Sequence, residues 1–129
     1  MGQTPSLSTS SQFVWLYFKF DGRINRAAYF LAGLLVSLAM IFPLYRFSLT
    51  PVETGEGAVW AVMFWAMFFL SLWCLFTLGV KRLHDIGKHG AYAVLCVLFP
   101  LPAFIVLSLW QGTDGPNAFG SRSNARADA

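Results

Sequence analysis

Apolar and polar positions along this chain fall in blocks rather than alternating. Uncharged, predominantly apolar runs extend from Ala27 to Tyr45, from Gly57 to about Val80 and from Gly90 to Trp110. Each is long enough to be a transmembrane helix. At ~1.5 Å per residue the middle run reaches roughly 34 Å, more than a hydrocarbon core of ~30 Å, and the first, at roughly 28 Å, just suffices. One central Arg would cost about 3 kcal/mol on the insertion scale while each Leu, Phe or Val returns about 0.5, so the absence of charge decides for spanning helices. The third run carries Pro100 and Pro102 near its middle. Each proline removes a helical hydrogen bond, so the run is expected either to span as a kinked helix, the favoured reading, or to fold back as a re-entrant hairpin. The shorter apolar stretch from Phe13 to Phe20 cannot span and reads as an interfacial segment on the inner leaflet.

The pattern therefore predicts an all-α polytopic membrane protein with three transmembrane helices, the third kinked or re-entrant, and an N-terminal interfacial segment. Residues 1–12 and 121–129 are expected to be disordered tails flanking a membrane domain over 13–120, with spans near 27–45, 57–80 and 90–110. Composition agrees: 57% of the 129 residues are hydrophobic, 17% aromatic and only 12% charged, which excludes a disordered chain and is far from a soluble domain. Cys74 and Cys96, the two cysteines, lie inside apolar runs, so neither a disulfide framework nor a cysteine metal site is expected. Met1 to Gln12 carries no Lys or Arg and so lacks the basic region of a signal peptide; no segment is expected to be removed.

Charge sets the orientation. Lys19, Arg23 and Arg26 precede the first run, Arg46 faces Glu53 and Glu56 in the first loop, and Lys81, Arg82 and Lys88 occupy the second. This three-one-three distribution places the N-terminus and second loop in the cytoplasm. A spanning third run would put the tail outside; a re-entrant one would return it to the cytoplasm. Tyr29 and Tyr92 fall at the expected inner boundary and Tyr45, Trp60 and Trp110 at the outer one, with Trp65 and Trp73 deeper. The net charge of +3 is split among small groups, which suits anionic lipid headgroups and not nucleic acid.

Three polar clusters flank the apolar runs: Phe20-Asp21-Gly22-Arg23-Ile24-Asn25-Arg26, Lys81-Arg82-Leu83-His84-Asp85-Ile86-Gly87, and Gly112-Thr113-Asp114-Gly115-Pro116-Asn117-Ala118-Phe119-Gly120. The order F-x-G-R-x-x-R-x-x-Y, R-L-H-D-x-G and G-x-x-G-x-N-x-F-G resembles the domain-of-unknown-function 805 family of small bacterial inner-membrane proteins. The resemblance covers about residues 13 to 120. It implies a compact helical protein of the bacterial inner membrane and leaves the activity open. The chain departs from the family at Asn25-Arg26-Ala27-Ala28-Tyr29-Phe30, where Ser-Arg-Lys-Glu-Tyr-Trp is common. It has Lys81-Arg82 for Arg-Arg, and His89-Gly90-Ala91 for Ser-Gly-Trp.

The candidate chemistry lies in these clusters. Asn25 reads as the N-cap of the first span. Arg23 and Arg26, three apart, share a helix face if the turn is helical and could then clamp a phosphate or carboxylate; anchoring to anionic lipid is favoured. Lys81 and Arg82 complement the negative end of the second helix and complete this candidate anion or headgroup set. Arg82 and Asp85, also three apart, can pair. His84 invites a general-base or metal-ligand reading, but adjacent helical residues point about 100° apart, so His84 and Asp85 cannot form an in-line pair. His84 and His89 are five apart and no second carboxylate lies nearby, so no metal site and no catalytic residue is expected. The favoured reading is a polar network of Asn25, His84, Asp85 and Asn117 joining the cytoplasmic helix ends, without a cofactor. Lipids, a second copy of the chain or a membrane partner protein are the expected partners. Ala28 with Ala32, and Gly33 with Ser37, would permit close helix packing on the first span.

Overall fold

The computed structural model describes residues 8–127. Most of residues 1–12, expected to be a disordered tail, lie outside the described residues, but helix α1 already begins at Thr9 and runs to Phe18. Its first turn is capped by Ser8, whose side chain accepts from the Ser11 N–H at 3.3 Å. An extended segment follows to Asn25. The Asn25 side chain then accepts from the Ala28 N–H at 2.8 Å and starts α2, Arg26–Leu49. A loop over residues 50–54 reverses the chain. Thr54 caps α3, Gly55–Ile86, by accepting from the Gly57 N–H at 2.9 Å. At 32 residues α3 is ~48 Å long, well beyond a membrane core, and it carries the whole second polar cluster up to Ile86 as its last turns. It stops at Gly87, in the left-handed conformation at φ 84°, where the Lys88 N–H reaches back to the Leu83 carbonyl at 2.8 Å.

Both α2 and α3 are long and apolar enough to cross a membrane, and only 22% and 6% of their most apolar windows are buried. Leu31, Leu35, Ile41, Phe42, Val62 and Phe69 stay more than half exposed, so both helices present large apolar side chains on their outer faces. The two helices form an antiparallel hairpin. It is closed at the loop end by stacked Phe47 and Phe64 and by an ion pair between Arg46 and Glu56.

The run from Gly90 to Trp110 is not one helix. A 3₁₀ turn, Gly90–Ala93, leads into the short α4, Val94–Leu98. The backbone then breaks at Phe99 (φ −132°, ψ 68°), and α5, Pro100–Leu109, starts with Pro100 in its first turn. The prolines thus stand where a helix begins, a position at which the missing N–H costs nothing, instead of kinking a continuous helix. Both ends of the run reach the same end of α3. A Cβ on Gly90 would sit 2.9 Å from Val80 and 3.1 Å from His84, while Leu107 and Trp110 offer their carbonyls to Arg82. Each limb is ~15 Å long, about half a hydrocarbon core. The favoured expectation of a third, kinked spanning helix is corrected to a helical hairpin packed on α2 and α3. Gly33 receives the Phe104 ring of α5, and Tyr29, buried rather than interfacial, packs on the same ring.

Trp110, expected at the outer boundary, accordingly lies at the same end as Arg82. The tail after it does not leave the molecule either. Residues 121–127, set apart by the sequence as part of a disordered tail, fold back so that Arg23 and Ala125 exchange backbone hydrogen bonds at 3.0 and 3.3 Å. Ala125 is buried.

A buried arginine–aspartate–arginine clasp

The three polar clusters meet at one end of the hairpin. Asp85, one turn after Arg82 on α3, receives Arg82 Nη1 on Oδ2 at 2.6 Å and Arg23 Nε on Oδ1 at 3.1 Å. Arg23 and Arg82 are fully buried and Asp85 is 2% exposed, so this is an interior ion triad rather than a surface contact. The Ser123 hydroxyl also donates to Asp85 Oδ1, and the Thr113 N–H donates to the Asp85 main-chain carbonyl at 2.7 Å. Gly112 is required here by close approach, because a Cβ would run into the Asp85 carboxylate and come within 3.1 Å of Arg82 Nη1.

One carboxylate balances only part of this charge; backbone carbonyls supply the rest. Arg23 donates through Nη1 to Gly115 at 2.7 Å and Gly120 at 3.2 Å, and through Nη2 to Thr113 at 2.8 Å, gathering the whole third cluster. Arg82 donates to Leu107 at 2.9 Å, to Ile24 at 3.4 Å and to Trp110. Lys81 is equally buried. Its ammonium donates to the carbonyls of Trp15 at 2.6 Å and Lys19 at 2.7 Å and to Leu16, and lies 5.0 Å from the Trp15 ring centroid. Lys81 and Arg82 were expected to complement the end of their own helix. Because adjacent residues diverge by about 100°, they instead cap the C-terminal carbonyls of two other helices, α1 and α5.

The expected anion set, Arg23, Arg26, Lys81 and Arg82, is therefore not brought together as one site. Arg23 and Arg26 do not share a helix face, since the Asn25 cap starts α2 between them. Arg23 turns inward from extended chain, while Arg26 is exposed and makes no hydrogen bond or ion pair among the described residues. Of the expected polar network, Asn25 caps α2 and donates its N–H to the Asn124 side chain at 2.9 Å. Asn117 donates its amide to the His84 carbonyl at 2.8 Å and accepts from the Phe119 N–H at 2.9 Å. His84 Nδ1–H donates to the Gly22 carbonyl at 3.1 Å, and its ring stacks on Phe119 at 4.3 Å. A recess of about 510 Å³ opens beside His84, with Asp21 and Asn117 on its wall. Among the described residues no three of His, Cys, Asp and Glu are placed to hold a metal.

Sequence reasoning missed Gly112, Ser123, Ala125 and the carbonyls that receive the arginines. Only Gly112 left a signal, as the first glycine of the third cluster. No curated protein and no solved structure matches the chain. A family described as "Protein of unknown function (DUF805)" matches residues 17–121, which span all three clusters of the clasp. By that match over most of its length, the chain belongs to the DUF805 family.

Proposed function

We propose that this chain is an integral protein of the bacterial inner membrane acting as a non-enzymatic interaction or accessory component, with the clasp fastening its cytoplasmic end. The observation that carries this reading is the burial of the clasp. Arg23, Lys81, Arg82 and Asp85 are buried and matched to one another and to carbonyls of the chain, so none of the four is exposed to bind a substrate or polarise one. A headgroup enzyme built on these residues would need at least one of them open.

Orientation follows from the same arrangement. Lys19, Arg23, Arg26, Lys81, Arg82, Lys88, Arg122 and Arg126 belong to the clasp end, and Arg46, paired with Glu56, belongs to the other. With α2 and α3 as the two crossings and α4–α5 re-entrant, positive charge favours both chain ends in the cytoplasm. The absence of charge between Ala27 and Tyr45 and between Gly57 and Val80 argues against a transport pathway through the spans.

The test combines carbonate washing of membranes with site labelling. The protein should stay in the washed membrane, a cysteine at Thr54 should react with an impermeant reagent from outside, and a reporter fused after Ala127 should be active in the cytoplasm. Release by carbonate sinks the membrane reading. An externally placed C-terminal reporter sinks the two-crossing arrangement. Native mass spectrometry of the purified chain then reads its stoichiometry, and a strictly monomeric, partner-free chain in mild detergent and in cross-linked membranes would refute the interaction role.

A further inference from the structure

Outside the clasp, one feature of this boundary has an unused charge. Between the start of α2 and the end of α5 lies a groove of about 450 Å³, lined by Arg26, Ala27, Phe30, Phe104, Ser108 and Leu109. Its wall is almost wholly apolar, with the Phe30 and Phe104 rings stacked at 5.7 Å. Two polar groups interrupt that wall. Arg26 is exposed at the rim with no hydrogen bond or ion pair among the described residues, and Ser108 Oγ is buried without a hydrogen-bond partner. At the same end of the molecule the buried Arg23 and Arg82 outnumber Asp85, the only buried acid among the described residues, so the buried groups there carry an excess of positive charge.

We infer that this groove binds one anionic phospholipid, its phosphodiester on Arg26, its ester region at Ser108 and an acyl chain along Phe30, Phe104 and Leu109. The combination selects the ligand class. A free phosphate would use the arginine and leave the apolar wall wet, while a zwitterionic lipid would fill the wall but bring its own cation to an end that already carries excess positive charge. Ser108 has a donor with no acceptor among the described residues, and a glycerol ester oxygen at that depth supplies one. The inference rests on the membrane reading above and gives that reading a specific partner at a site separate from the clasp.

The test uses the full chain purified in a neutral detergent, after retention in carbonate-washed membranes has been established. That first step separates failure of the membrane reading, where the protein washes off, from failure of this inference. Phosphatidylglycerol, phosphatidylcholine and inorganic phosphate are added in turn, with bound lipid counted by native mass spectrometry and melting followed in parallel. One phosphatidylglycerol per chain should be retained and should raise Tm; phosphatidylcholine should bind roughly tenfold more weakly, and phosphate should do neither. Arg26→Gln should weaken phosphatidylglycerol retention roughly tenfold, the loss of one charge-assisted hydrogen bond at a partly dehydrated site, with the lipid-free Tm unchanged. Ala27→Phe, which fills the groove, should lower retention of both lipids. Equal phosphatidylglycerol retention by Arg26→Gln and the parent chain would overturn the inference, as would inorganic phosphate reproducing the Tm rise.

Discussion

Replacing Asp85 by Asn changes one oxygen for an amide nitrogen and removes one charge, almost without a change of volume. In the clasp that oxygen matters twice. Oδ2 accepts from Arg82 at 2.6 Å and Oδ1 from Arg23 at 3.1 Å, with Ser123 donating to Oδ1 as well. An asparagine can satisfy one side and must present its NH₂ to a guanidinium on the other, placing donor against donor. With Asp85 2% exposed, water cannot enter to compensate, and breaking a buried pair so that a charge is stranded costs about 3 to 5 kcal/mol. For a chain of this length that corresponds to a fall in Tm of roughly 10 to 20 °C. The assay is thermal unfolding in detergent followed by tryptophan fluorescence and circular dichroism, with Arg26→Gln as the control. Arg26 is exposed and outside the clasp, so its removal should stay within about 0.5 kcal/mol of the parent. If Asp85→Asn melts within about 2 °C of the parent chain, the triad does not hold the helices together, and the reasoning from burial to stability fails.

Three other outcomes follow from the same geometry. Gly112→Ala puts a methyl against the Asp85 carboxylate and Arg82 Nη1, and should lower Tm by several degrees in the same assay; an unchanged Tm would show that the third cluster can move away freely. Ending the chain after Gly120 removes the Ser123 donor and the backbone pairing of Arg23 with Ala125, and should cost about 1 to 3 kcal/mol in stability, whereas a disordered tail would cost nothing. Lys81→Met strips the donor from the carbonyls of Trp15, Leu16 and Lys19, so hydrogen exchange should quicken along α1 while the amides of α2 and α3 keep their protection; uniform protection would refute the capping role.

Much of this fold was legible because apolar length is a strong signal: the two long helices, apolar enough to cross a membrane, were readable from their uncharged runs, and Asn25 as the start of the first. The same Asn25 contained the correction to the Arg23 and Arg26 reading, since a cap between two residues prevents them from sharing a helix face. The third run misled because length and hydropathy alone allow it to span. What folds it back is non-local. Arg82 requires acceptors that the ends of a hairpin provide, through the carbonyls of Leu107 and Trp110, and no sequence window contains both partners. The tail misled for a related reason. Ser123, Asn124 and Ala125 are held by backbone pairing and short polar side chains, which leave no hydrophobic period to read.

The clasp also differs from an ordinary buried ion pair in a way that can be measured. Arg23, Lys81 and Arg82 outnumber Asp85, the only buried acid among the described residues, and each cation donates to three backbone carbonyls. For Lys81 and Arg82 these include carbonyls at the C-terminal ends of α1 and α5, groups that a helix cannot satisfy internally. Cation and helix end thus answer each other's desolvation, and the carboxylate only trims the balance. In a simple buried pair, exchanging both ions for apolar residues of similar volume is often neutral or stabilising. Here the double variant Arg82→Met with Asp85→Leu should remain destabilised by at least about 2 kcal/mol, because Leu107, Trp110 and Ile24 keep carbonyls with no donor and Arg23 loses its counter-ion. A double variant as stable as the parent, measured by the same melting curves, would show that the two ions matter only to each other and that the hairpin end needs no cation to close it.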